Sequence, residues 1–172
     1  MLVNRLRITL SMLALVFLSL SLLMTAPAFA ESDSPKIEGS WAGTVTAIDP
    51  PLGSFADLIT FMPKGGVIES RRLYVPETPI GPLLETPGHG EWEKISDREF
   101  QVNFVFLLQG APDNPGARGI ALGTDNISIK VMINEEGTVL NGSFKSDVKT
   151  PDGNVLLTTI GTYTATRIKA EN

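Results

Sequence analysis

The sequence predicts an all-β protein: a single antiparallel up-and-down barrel of about eight strands. Three observations lead there. The 16 glycines and 12 prolines of the 172-residue chain cut it into short segments. Those segments are rich in Val, Ile, Thr, Phe and Tyr, residues that suit a pleated, half-buried backbone. Beyond the first 30 residues, no stretch of ten or more keeps the 3.6-residue apolar period of a helix.

In chain order, residues 1–30 read as a secretory signal peptide. Arg5 and Arg7 precede an apolar run from Ile8 to Met24, and Ala28-Phe29-Ala30 supplies small residues where a signal peptidase reads. Cleavage is expected after Ala30. The ending has a bacterial look, so the product is expected in the periplasm or the medium. The apolar run approaches the roughly 20 residues of a bilayer span. The small-x-small site that follows marks it as removable, so no stable membrane anchor is expected after cleavage. Residues 31–37 are expected as a flexible N-terminus, 38–168 as the barrel domain and 169–172 as a tail.

The strands are expected at about 38–49, 55–62, 67–75, 90–95, 99–109, 125–133, 138–149 and 155–168. Alternation is clearest in two of them. Phe100, Val102, Phe104, Phe106 and Leu108 share one face of the fifth; Ile127, Ile129, Val131 and Ile133 share one face of the sixth. Turn chemistry separates neighbours at Pro63-Lys64-Gly65-Gly66, Ser96-Asp97-Arg98, Asn134-Glu135-Glu136-Gly137 and Pro151-Asp152-Gly153-Asn154. Two longer connections, Pro76 to Gly88 and Gly110 to Gly119, are expected as functional or mobile loops. Eight strands must hide two sheet edges, and closing the sheet does so completely. A two-sheet sandwich is the main alternative.

Several function classes are excluded by composition. The formal charge is −5, and losing Arg5 and Arg7 with the leader makes it −7. An acidic domain lacks the clustered Lys and Arg that nucleic acids and other polyanions require. The chain has no cysteine, which removes thiol catalysis and thiolate metal sites.

Gly39-Ser40-Trp41 heads the first strand, and Arg167 stands near the end of the last. This pairing resembles the Gly-x-Trp and late-Arg signature of lipocalins and related calycin barrels. The resemblance implies that Gly39, Trp41 and Arg167 close one end of the barrel, the guanidinium stacked on the indole. Ala117-Arg118-Gly119 resembles a dirigent segment more loosely and keeps an allene oxide cyclase or dirigent-like barrel as a further alternative.

Candidate chemistry is sparse. His89, the only histidine, would serve as a general base beside Glu85 or Glu91; the competing reading is an exposed loop residue. Glu77, Glu85, Asp113 and Asp125 are the loop carboxylates from which an acid pair would be drawn, and solvated loop charges are the default. No serine-hydrolase elbow or phosphate loop is present, and neither metal nor cofactor is expected. Phe61, Phe104, Phe106, Ile129, Phe144, Ile160 and Tyr163 are the residues expected to line an apolar interior. The leading expectation is a non-enzymatic exported barrel binding a small apolar ligand. A cofactor-free cyclase or isomerase using the interior is one alternative, and an interaction module with a filled core is another.

Overall fold

Inward-facing positions recur at every second residue along eight long strands, and this parity decides what the interior contains. The computed structural model describes residues 36–76, 78 and 80–169. The leader, the expected cleavage site and Glu77 lie outside the described residues. In chain order the strands are β1 (Gly39–Asp49), β2 (Gly53–Phe61), β3 (Gly66–Arg71), β4 (Tyr74–Val75), β5 (Leu83–Glu85), β6 (Gly88–Lys94), β7 (Glu99–Gly110), β8 (Ala121–Ile133), β9 (Val139–Lys149) and β10 (Val155–Arg167). Eight of them pair in the order β1-β2-β3-β6-β7-β8-β9-β10, and β10 returns to β1, every pairing antiparallel. The ladder is therefore a closed up-and-down barrel. A two-sheet sandwich is excluded, because no edge opens between β1 and β10.

The two alternating strands behave as their periodicity requires. Phe100, Val102, Phe104, Phe106 and Leu108 of β7 are buried, as are Ile127, Ile129, Val131 and Ile133 of β8. Large residues meet small ones across the wall: Gly90 is opposite Phe104, Gly161 opposite Phe144, and Gly142 opposite both Tyr163 and Val131. Such complementarity lets a narrow barrel hold aromatic side chains without overpacking.

The structure departs from the sequence reading in three places. The third strand ends at Arg71 instead of running to 75, and Tyr74–Val75 forms the separate β4. The Pro76 to Gly88 connection is not all loop: β5 pairs with Leu108–Gly110 of β7, beyond the point where β6 leaves β7 at Val105. The sixth long strand starts at Ala121, earlier than 125. The two long connections are also tied to one another. The Asn114 side chain donates to the Ile80 and Pro82 carbonyls and accepts from the Gly116 and Ala117 amides.

The two ends of the barrel differ. At one end Trp41 and Ile37 are fully buried, and the indole Nε1 donates to the Ile37 carbonyl at 2.9 Å. Trp92 packs edge-on against Phe61 and Phe100 beside it. Apolar side chains fill this end. The other end is bounded by the β1–β2 turn, the 72–87 excursion, the 111–120 loop and the β9–β10 turn, and it is open.

Candidate functional site

At the open end the inward parity continues, but the residue type changes. Asp57 follows Phe61 and Ile59 on the inner face of β2, Glu69 and Arg71 follow Val67 on β3, and Asp125 precedes Ile127 on β8. Ser146 and Thr159 take the corresponding places on β9 and β10, which pair there. Barrel closure brings these polar positions together above the apolar floor. The result is a cavity of about 600 Å³. Its walls include Phe55, Leu83, Leu108, Phe144, Val148 and Leu157, and its polar surface includes Arg71, Glu85, Asp125, Ser146 and Thr159.

Arg71 organises the polar part. Its Nε donates to one Glu85 oxygen at 2.7 Å, and its Nη2 donates to the other at 3.0 Å and to Asp125 Oδ2 at 2.9 Å. Ser146 Oγ donates to Asp125 Oδ1 at 2.5 Å. The guanidinium lies 4.1 Å from the Phe106 ring centroid and 5.3 Å from that of Phe55, a geometry in which the ring faces attract the cation. β5 carries Glu85 to this point through its pairing with β7. Without its pairing to β7, the carboxylate would sit on an unanchored loop.

Beneath this cluster lie Asp57, Glu69 and Tyr163, all buried. Asp57 Oδ1, Glu69 Oε2 and the Tyr163 hydroxyl have no hydrogen-bond partner of acceptable geometry among the described residues. Asp57 and Tyr163 approach one another in the space left by Gly43, where a Cβ would stand 2.0 Å from Asp57 Oδ1 and 2.7 Å from the hydroxyl. Burial pushes the Glu69 carboxyl up to about 8, with Arg71 pulling it down and Asp57, Glu85 and Asp125 adding repulsion. Burial also pushes Asp57 up to about 6 against the pull of Arg71, and raises Glu85. For Arg71 burial would favour loss of the proton, but Glu85 and Asp125 overcome it and hold the guanidinium charged. One base thus faces four acids in a low-dielectric interior, a balance that favours keeping Glu69 protonated.

The residues singled out in the sequence fall into separate places. Phe61, Phe104, Phe106, Ile129 and Tyr163 are buried inside the barrel, and Phe144 lines the cavity. Ile160 is not interior: it faces outward and is 46% exposed, because it has the opposite parity to Thr159 and Gly161. Arg167 Cζ lies 4.2 Å from the Trp41 ring centroid, and a Cβ on Gly39 would meet the same guanidinium. His89 and Glu91 are exposed on the outer wall of β6, whereas Glu85 is turned into the cavity and bound to Arg71. Glu85 and Asp125 are therefore not solvated loop charges. Asp113 is exposed and accepts from the Tyr74 hydroxyl at 2.7 Å. No group of three or more His, Cys, Asp or Glu side chains among the described residues is arranged to hold a metal ion.

Asp57, Glu69, Arg71, Ser146 and Thr159 were not legible as a site from the sequence. A signal was present, since Asp57, Glu69, Arg71, Ser146 and Thr159 each continue the parity of an inward face. A charge at such a position is either a strand end or a buried polar group, and only barrel closure distinguishes the two. The chain matches no protein-family model, no curated protein and no solved structure.

Proposed function

We propose that this protein is an exported β-barrel that binds a small, largely apolar molecule in its open end, with a polar head against the Arg71, Glu85 and Asp125 cluster. The observation that carries the reading is the cavity of about 600 Å³, apolar in its walls and polar around Arg71. Its size falls in the range of small-molecule sites, and a few convergent polar groups on an apolar surface are what orient a ligand. The stacking of Arg167 on Trp41 at the opposite, filled end supports a lipocalin-like reading of the barrel, closed at one end and loaded from the other.

A cofactor-free isomerase or cyclase is the second reading, favoured by Asp57 and Glu69, whose carboxyls are held near 6 and near 8. Both lie below the cavity surface instead of lining it, which favours binding over catalysis. An interaction module with a filled core accounts for the Trp41 end and leaves the cavity unexplained.

Native mass spectrometry of the protein from its natural source tests the proposal, with Leu157→Trp as the comparison, since an indole there would occupy the cavity. A retained small molecule on the natural chain and its loss from the variant is the expected result. A natural chain that carries no retained molecule and takes up no apolar probe would overturn it.

A further inference from the structure

We infer that the cavity selects a cationic head group, a protonated amine on an apolar body, over a neutral or anionic head. This rests on the reading of the cavity as a ligand site and names the class of ligand.

The interior around Arg71 is rich in acceptors and poor in donors. Arg71 gives Nε and Nη2 to Glu85 and Asp125 and keeps only Nη1 as a donor for a ligand. Both of those carboxylates reach the cavity surface, and each oxygen keeps a lone pair beyond the one in use. Behind them, Glu69 is 1% exposed and its Oε2 has no hydrogen-bond partner among the described residues, while the buried Asp57 carboxylate faces the Tyr163 hydroxyl. An unpartnered buried carboxylate oxygen marks a place that gains from a donor or a positive charge.

Each head group meets this surface differently. An anionic head must compete with two buried carboxylates for one guanidinium while it faces four acids. A hydroxyl offers a single donor and no charge. An ammonium offers three donors and offsets the surplus of negative charge. Arg72 is the other cation on the cavity surface, but it is exposed at the rim, where solvent screens its charge. Arriving positive charge also favours ionisation of Glu69. The groups that face Glu69 are Arg71, Asp57, Glu85, Asp125 and the buried Tyr163 hydroxyl, and His89 on the neighbouring β6 is turned outward. Amine binding is therefore expected to release a proton and to tighten as pH rises from 7 to 9.

Calorimetric titration of the purified protein with decylamine, decanol and decanoate, each below its micelle-forming concentration, tests the inference. Decylamine is expected to bind about tenfold more tightly than decanol, with decanoate weakest. Asp125→Asn, or Glu85→Gln if the first variant folds poorly, is expected to weaken decylamine about fivefold more than it weakens decanol. Decanol binding as tightly as decylamine, or decanoate binding tightest, overturns the cation inference and leaves the cavity reading in place. Binding by none of the three overturns both.

Discussion

The Arg167 guanidinium lies over the Trp41 indole with its carbon 4.2 Å from the ring centroid, and its three nitrogens are all engaged. Nε donates to the Gly137 carbonyl and Nη1 to the Glu38 carbonyl, each at 2.6 Å, and Nη2 donates to the Lys36 carbonyl. One side chain from the last strand thus fastens the entry to β1, the β8–β9 turn and the closing tryptophan.

Arg167→Ala should therefore lower stability by about 2–3 kcal/mol, the sum expected for a cation–π contact and several charge-assisted hydrogen bonds that are partly solvent-exposed. Arg167→Lys should recover less than half, because an ammonium cannot stack and bond in three directions at once. Urea unfolding, compared at unchanged m, checks both. Equal stability of the wild-type protein and Arg167→Ala would show that the barrel end is sealed without the arginine.

The interior acids reverse the usual dependence on pH. Glu69 and Asp57 have ordinary values of 4.5 and 3.8 and are raised to about 8 and about 6 in the fold. The folded protein then binds more protons than the unfolded chain between those limits, so their contribution is fully present below about pH 4 and is lost as pH rises through 6 and then 8. Wild-type stability should fall from pH 5 to pH 9. Glu69→Gln should flatten the alkaline part of that fall and exceed the wild type by about 2–3 kcal/mol at pH 9. Urea midpoints at pH 5, 7 and 9 read this directly. A wild type more stable at pH 9 than at pH 5 would contradict the buried placement of Glu69.

Glycines divide into those that the wall needs and those that only a turn needs. A Cβ on Gly161 would stand 2.0 Å from the Thr46 carbonyl oxygen and 2.5 Å from the Phe144 ring. Since backbone cannot step aside, Gly161→Ala should cost about 3 kcal/mol or more. At Gly53 nothing lies within 4 Å, and only its φ of +86° resists a side chain. Gly53→Ala should cost about 1–2 kcal/mol. Thermal melts of the two variants give the ranking, and a reversed order would count against the close approach of β10 to β1.

Much of the barrel could be read from the chain, and the reason is local. Ile127 to Ile133 and Phe100 to Leu108 keep an unbroken apolar inner face that fixes face and strand together, although Val105, Leu107 and Met132 blur the outer one, and the short turns fix antiparallel neighbours. β5 was hidden because three residues have no periodicity, and its pairing depends on where β6 stops. The cavity was hidden for a different reason. Glu85 and Asp125 are 40 positions apart and meet only through Arg71, a contact set by closure of the sheet and by nothing local. Ile160 shows the limit of composition alone: it is an apolar residue in a β-branched strand, and only its parity relative to Gly161 places it outside.

In the proposed function the open end of the barrel, and no other surface, receives the ligand. Amide shift changes on adding decylamine to isotopically labelled protein test it most directly. The largest changes are expected at Ala47, Phe55, Glu85, Asp125, Ser146 and Thr159, all at the cavity. Changes centred on the outer groove of His89 and Glu91, or on the Trp41 end, would contradict the account.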